Sequence, residues 1–276
     1  MGMNLSIDET SLSNGELYTI LTNKSGKGKK RTIVAMIAGT KADTVIAVIE
    51  KIALKQRNLV KEITLEMAGN MNLIAKKCFP NATRVTDRFH VQKLATEALQ
   101  EIRINYRWEA IDQENNAIEK AKKGKSNFES QILSNGDTLK QLLARSRYFL
   151  YKNKSRWTQN QTQRATLLFK LYPDILKAYD LTQDLRTIFD KTTDKIIGFA
   201  KLAKWHEKVD QSGFKSFGTI SRTITNHYQT ILNYFDNRST NASAESFNAK
   251  IKAFRLKFRG VRNIGYFLFR LTNIYA

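Results

Sequence analysis

The hydrophobic pattern changes once along the chain, near residue 94, and this change limits the fold more than any other feature of the sequence. Before it, short apolar runs bounded by turn residues predict strands at 4–11, 16–23, 31–39, 60–67 and 82–90. Segments 41–56 and 68–79 have helical spacing instead. The short connections make the first three strands an antiparallel meander, and the order βββ-α-β-α-β predicts an α/β domain over residues 1–93.

Residues 94–236 contain almost no strand signal. Successive segments with apolar residues at helical spacing are flanked by residues that favour helix ends. We therefore expect an all-α insertion over 94–236, followed by helices at 237–276 that return to the first domain.

The charge of the chain indicates its class of partner. The formal net charge is +21, which favours a polyanion, either nucleic acid or an anionic membrane surface. The sequence has no apolar run long enough to span a bilayer and no pattern of a secretory signal. Its single cysteine, Cys78, excludes an intrachain disulfide and a cysteine-rich zinc site. We expect a cytoplasmic nucleic-acid-binding protein without a membrane partner.

Acidic residues follow apolar runs in two of the predicted strands. Asp8 is predicted to close the first strand, and Glu66 the fourth. If the first and fourth strands are neighbours, both acids lie at the same edge of the sheet. Glu245 joins them if its helix packs across that edge. Carboxylates from separate elements can hold two Mg²⁺ ions for phosphoryl transfer. Each acid also suits an ordinary strand end or first helical turn, so the pattern alone leaves both interpretations open.

The helix that contains Glu245 has two adjoining stripes. One is apolar and is expected to face the core. The other begins with Glu245 and continues with an amide and three cations, which would contact successive DNA phosphates: Asn248, Lys252, Arg255 and Arg259. An acid at the start of a basic stripe is explained if it is a metal ligand and the cations hold the DNA on which it acts.

Three segments resemble the catalytic region of bacterial insertion-sequence transposases of the ISL-three family, a branch of the DDE transposases. They are "IDE", "PNATRVTDRFHVQKL" and "SAESFNAKIKAFRLKFRGVRN". The resemblance covers essentially the whole chain and implies a ribonuclease-H-like mixed five-stranded sheet, with a large all-α insertion before the last catalytic helix. It also implies metal-dependent cleavage and strand transfer of transposon DNA with Mg²⁺, for which Mn²⁺ can substitute.

The resemblance assigns Asp8 as the first catalytic acid and Glu245 as the last. The second position departs from the family, which usually has aspartate where this chain has Glu66. Two alternatives follow: Asp87 is the second ligand, or the chain is a catalytically impaired DNA-binding remnant. A nuclease that cuts without joining is a third interpretation.

The resemblance also implies partners. Transposases assemble on DNA as multimers, so we expect a homo-oligomer on transposon ends and target, associated with the bacterial nucleoid. Such transposases usually recognise the transposon ends with a cysteine-rich module, which one cysteine cannot form. The resemblance therefore implies either that the chain is a fragment or that a separate chain recognises the ends.

Further candidates for DNA contact are scattered along the chain. The expected phosphate contacts include Arg88 and Arg262, His90 would contact DNA or assist proton transfer, and Trp205 would stack on an unpaired base. The glycine- and lysine-rich segment 24–30 is expected to be a solvated hairpin turn.

Overall fold

The computed structural model describes residues 2–12, 15–258 and 263–276. In these ranges five strands form one sheet: β1 (Asn4–Ser11), β2 (Leu17–Asn23), β3 (Ile33–Ala38), β4 (Glu62–Leu65) and β5 (Thr83–Thr86). The sheet order is β3-β2-β1-β4-β5. β1, β2 and β3 pair antiparallel, whereas β1, β4 and β5 run parallel. This mixed sheet confirms the predicted α/β class and the expected ribonuclease-H-like fold.

The described residues contain thirteen α-helices and two short 3-10 turns, at Lys24–Gly26 and Lys154–Arg156. The first three helices are α1 (Ala42–Ile49), α2 (Leu54–Arg57) and α3 (Gly69–Cys78). Six follow β5: α4 (Arg88–Lys123), α5 (Leu139–Leu150), α6 (Gln159–Leu171), α7 (Pro173–Lys191), α8 (Lys195–Ser212) and α9 (Lys215–Asn226). The last four are α10 (Tyr228–Leu232), α11 (Tyr234–Asn237), α12 (Ala242–Lys257) and α13 (Ile264–Tyr275). None of them combines the length and apolar character needed to cross a bilayer.

The chain divides into two compact units. One contains residues 1–90, 193–195 and 226–276, and the other contains 91–192 and 196–225. The last segment of the sheet-bearing unit begins at residue 226. The reason is that α10 packs beside β5, where the Thr86 and Thr230 hydroxyls are 2.8 Å apart. The three-part division made from the sequence stays a prediction.

The sheet carries one apolar core on each face because side chains alternate along its strands. On one face, Leu5 and Ile63 pack against residues of α1 and α3. On the other face, Ile20 packs with Phe247 of α12 and Phe267 of α13. α12 is thereby fixed against the sheet face on which Asp8 lies, since Asp8 pairs with Ile20 across β1 and β2.

The first strand was predicted correctly at 4–11, but Asp8 lies inside it and does not close it, because β1 stays paired with β2 as far as Ser11. Two other boundaries were wrong. β5 ends at Thr86, since the Asp87 side chain accepts a hydrogen bond from the Phe89 amide and caps α4. The helix expected over 41–56 is two helices. At the break, the buried guanidinium of Arg57 donates to the carbonyl oxygens of Ile52 and Cys78.

Candidate active site

Asp8 and Glu66 meet because their strands run parallel. The last paired residues are Ser6 and Thr64, and both acids lie two residues further on. Asp8 is buried, with 7% of its surface exposed. Burial, followed by the hydrogen bond to Glu66 and its negative charge, raises the pKa of the Asp8 carboxyl to about 8. Asp8 therefore holds a proton in the metal-free protein, which is typical of clustered carboxylates.

α12 contributes Asn248 and Glu245 to the same place. Asn248 is buried, and its Nδ2 donates a hydrogen bond of 2.7 Å to Asp8 Oδ2. Its Oδ1 is also buried and has no hydrogen-bond partner among the described residues. Glu245 lies in the first turn of the helix and is partly exposed. Its pKa is raised by burial and then by the negative charge of Asp87, and His90 opposes this shift.

Asp87 and His90 enter from the other side, at the junction of β5 and α4. Asp87 is only 1% exposed, and its amide donates to the Leu65 carbonyl oxygen at 3.0 Å. Its Oδ2 is buried without a hydrogen-bond partner in the described ranges. His90 Nε2 lies 3.5 Å from Glu66 Oε1. A backbone turn thus places a carboxylate and an imidazole beside the end of β4.

Together these side chains form two overlapping groups that could hold a metal ion. The first is Asp8, Glu66 and His90, and the second is Asp87, His90 and Glu245. Within each group the ligand atoms lie within 4.8 Å of one another. We call these five residues the acidic cluster. The sequence predicted its four acids, with Asp87 as an alternative to Glu66, and predicted that His90 contacts DNA or assists proton transfer.

The donor set of the acidic cluster fits a divalent metal ion. Most ligands are carboxylate oxygens, which suit Mg²⁺ and Mn²⁺, and the single imidazole suits Mn²⁺ better than Mg²⁺. The buried oxygens Asp87 Oδ2 and Asn248 Oδ1 lack hydrogen bonds from described residues, as expected of atoms that would face an ion or its water. The pKa of Asp8 is raised by burial and then by Glu66, and a bound cation would favour the charged carboxylate against both effects.

A buried ion pair supports the strand that leads to Glu66. Glu62 is 4% exposed and accepts hydrogen bonds from Lys24 Nζ at 3.4 Å and from Asn237 Nδ2 at 3.1 Å. Lys24 also donates to the Thr64 hydroxyl. The expectation of a solvated turn at 24–30 was wrong at Lys24, which folds back over β4. The sequence signal for this contact is Glu62, an acid at the start of a strand whose other residues are uncharged.

The other predicted DNA contacts lie in different surroundings. Lys252 is exposed, as a phosphate contact would be. Arg255 is buried, with its guanidinium 5.1 Å from the centre of the Phe267 ring, so the basic stripe of α12 turns inward there. Arg88 lies over the Tyr234 ring at 5.8 Å. Arg259 and Arg262 lie outside the described residues.

Trp205 belongs to the helical unit. Its ring is 1% exposed, and Nε1 donates to the Leu181 carbonyl oxygen at 2.9 Å. A ring enclosed in this way has no free face on which a base could stack. Burial with a satisfied indole is the usual state of a core tryptophan.

Comparison with known families bears on this arrangement of acids. The family model for DDE-type transposases of the ISL3 group, described as "Transposase", matches residues 5–271. The chain belongs to this family. The match extends over both compact units, and it contains every residue of the acidic cluster.

Curated relatives include the transposase for insertion sequence element IS1001 of Bordetella parapertussis. It is 22% identical over 271 residues, which cover 97% of this chain and 59% of that protein. The transposase for insertion sequence element IS1557 of Mycobacterium tuberculosis is 24% identical over 181 residues, which cover 66% of this chain and 40% of the relative. The chain therefore spans about three fifths or less of the length of these relatives.

Proposed function

We propose that the chain catalyses metal-dependent cleavage and strand transfer of insertion-sequence DNA. The observation that carries this proposal is the convergence of four carboxylates and His90 on one point of the sheet. Those acids come from β1, the end of β4, the end of β5 and α12, so the fold brings together residues far apart in sequence. A structural role alone would not favour four neighbouring acids, because burial and then their mutual repulsion raise the pKa of Asp8 and of Glu245.

The residues of the acidic cluster have separate tasks in this proposal. Asp8, Glu66, Asp87 and Glu245 would hold divalent ions, Mg²⁺ or Mn²⁺. When bound, such ions neutralise the carboxylates and stabilise the negative charge that develops on the phosphate during phosphoryl transfer. Asn248 fixes the orientation of Asp8 through its 2.7 Å hydrogen bond.

His90 is placed to move or hold a proton near the reacting phosphate, since its Nε2 lies beside Glu66. Lys252 on the exposed side of α12 would bind the phosphate backbone. The ends of the element would be recognised by residues outside the aligned region or by another chain. We further propose that the protein acts as a homo-oligomer on DNA in the cytoplasm, associated with the nucleoid.

A catalytically impaired chain is the second candidate, and Glu66 is the observation that favours it. The family usually has the shorter aspartate at this position, and here the longer side chain reaches His90. An extra methylene displaces the carboxylate by more than about 1 Å, which can exceed the tolerance of a catalytic site. Asp87 beside it offers a second carboxylate at the same place.

A cleavage and strand-transfer assay tests both candidates. The substrate is labelled duplex DNA with the ends of the source element, pre-nicked to bypass end recognition, in Mg²⁺ or Mn²⁺. We expect the unmodified chain to cut and join, and Asp8→Asn and Glu245→Gln to abolish both steps. Asp43→Asn, which changes an exposed acid of α1, is the matched control.

Variants at the second position separate the candidates. Loss of activity in Glu66→Gln but not in Asp87→Asn would assign Glu66 as the second ligand, and the opposite result would assign Asp87. If only Glu66→Asp cuts, the chain is impaired as it stands. Cutting without joining would contradict the proposed transposase activity and favour a nuclease.

A further inference from the structure

The solvent face of α5 in the helical unit exposes two tyrosines next to cations. The core face of this helix contains Leu142 and Phe149, whereas Arg147, Tyr148 and Tyr151 lie on the opposite side. Tyr148 is 62% exposed and Tyr151 is 49% exposed. Arg147 and Tyr148 are neighbours in sequence, and the guanidinium carbon lies 6.0 Å from the centre of the ring.

A second cation follows at the end of the helix. Lys152 Nζ lies 5.8 Å from the centre of the Tyr151 ring, so each exposed ring has a positive charge beside it. The backbone here is held in place: the Lys152 carbonyl oxygen accepts from the Tyr179 hydroxyl at 2.8 Å, and that of Tyr151 accepts from Arg186 at 2.8 Å. The two rings are therefore presented on a fixed backbone.

An arginine group on α4 adds charge to this surface. Arg103 is 5% exposed and donates to the Leu143 carbonyl oxygen of α5 at 2.8 Å. Burial lowers its pKa, and the charges of Arg107 and Arg147 lower it further. The charges of Arg107 and Arg147 therefore both repel Arg103. A bound polyanion would relieve that repulsion.

Among the described residues, the cations of this surface have no carboxylate partner, since neither Arg147 nor Lys152 forms an ion pair there. Asp137 is engaged instead by Arg145 and by Arg164, whose Nε lies 2.9 Å from its Oδ2. Arg147 and Lys152 thus keep positive charges that a phosphate could contact.

We propose that the residues at the end of α5 form a binding surface for single-stranded DNA. This surface, which we call the α5 surface, consists of Arg147, Tyr148, Tyr151 and Lys152. Its cations contact phosphates, and its tyrosine rings stack on unpaired bases. Exposed aromatic rings beside cations are how proteins bind single strands without sequence preference, because every base offers a flat face. Bases in an intact duplex are stacked on one another, so the surface binds single strands more tightly than duplex.

The test is a binding measurement on the full chain without divalent metal. Fluorescence anisotropy is recorded for a labelled oligothymidine of about 20 nucleotides and for a duplex of equal length, over a series of salt concentrations. The double variant Tyr148→Ala/Tyr151→Ala is expected to bind the single strand at least about tenfold more weakly, since each stacked ring contributes several-fold. The duplex affinity is expected to change much less.

Controls separate stacking from charge and from damage to the fold. Tyr148→Phe/Tyr151→Phe keeps both rings and should retain single-strand binding. Phe199→Ala removes another exposed ring of the helical unit and should have no effect. Arg147→Ala should lower the slope of log affinity against log salt by about 0.7 for single-stranded DNA, as loss of one phosphate contact requires. Circular dichroism checks that each variant is folded.

Two results would overturn the proposal. One is unchanged single-strand affinity in the tyrosine-to-alanine variant. The other is an equal loss for single strand and duplex, which would mean that the surface binds by charge alone. Because binding is measured without metal and on residues outside the acidic cluster, a chain with no cleavage activity would still give a clear answer.

Discussion

Replacing Asp8 by asparagine is expected to stabilise the metal-free chain at neutral pH. The pKa of the Asp8 carboxyl is about 8 in the folded chain, whereas its ordinary value is 3.8. Between these values the folded chain keeps a proton that the unfolded chain has released. The free energy of unfolding therefore falls as the pH rises from about 4 to about 8, because the unfolded state binds fewer protons there. Asparagine carries no titrating proton, so Asp8→Asn removes this contribution.

The size of the effect follows from the two pKa values. At pH 7 the folded chain holds the Asp8 proton about three units above the ordinary pKa, and each unit corresponds to about 1.4 kcal/mol, which gives a ceiling of about 4 kcal/mol. Glu66, which causes part of the shift, keeps 29% of its side chain exposed, and water screens part of the repulsion. We expect stabilisation of roughly 2 kcal/mol at pH 7 and almost none at pH 4.

Urea unfolding in EDTA, followed by circular dichroism between pH 4 and pH 8, measures this effect. Repeating it with Mg²⁺ or Mn²⁺ should stabilise the unmodified chain at pH 7, because an ion that binds only the folded state shifts the equilibrium. Asp8→Asn should lose most of that response, whereas the control Asp43→Asn should keep it. If Asp8→Asn shows the same pH dependence as the unmodified chain, Asp8 is not the strained carboxylate that the structure indicates.

Three further predictions concern the fold and the charge. Lys24→Met should lower the free energy of unfolding in urea by about 3–5 kcal/mol, because it leaves Glu62 buried without its cation. The double variant Lys24→Met/Glu62→Gln should recover much of this stability. An unchanged urea midpoint in the single variant would refute the ion pair. Trp205→Ala should cost about 3–5 kcal/mol of stability through loss of a buried ring, yet leave the DNA affinity of the folded protein unchanged. In an anisotropy titration, affinity for duplex DNA should fall roughly a thousandfold between 50 and 200 mM salt, and a flat profile would exclude phosphate contacts as the main source of affinity.

Much of the sheet could be predicted from the sequence because its signals are local. The short connections predicted that the first three strands form an antiparallel meander, as they do. The spacing of apolar residues distinguished the strands from the helices. Asp8 and Glu66 could be proposed as partners because both follow apolar runs, on the condition that their strands are neighbours in the sheet. The exact register could not be predicted, and β1 proved to extend past Asp8 because β2 pairs with it further than β4 does.

The rest of the acidic cluster depends on packing that the sequence does not show. Asp87 and His90 reach it through a turn that looked like the end of a strand. Arg255 lies on the boundary between the two stripes of α12, where helical spacing cannot decide between solvent and core. The burial of Trp205 and of Lys24 could not be predicted either. Burial depends on tertiary packing, and tryptophan and lysine both also occur at protein surfaces.

The hydrogen bond between Asn248 and Asp8 joins residues 240 positions apart in the chain. Three acids of the cluster are made early in synthesis, but the helix that completes it emerges after the helical unit. Contacts of such long sequence separation carry a high entropic cost of loop closure and form late in folding. A ribosome-bound chain that has completed β5 therefore has most of its ligands but no assembled cluster. Assembly of the cluster therefore requires that synthesis has passed α12.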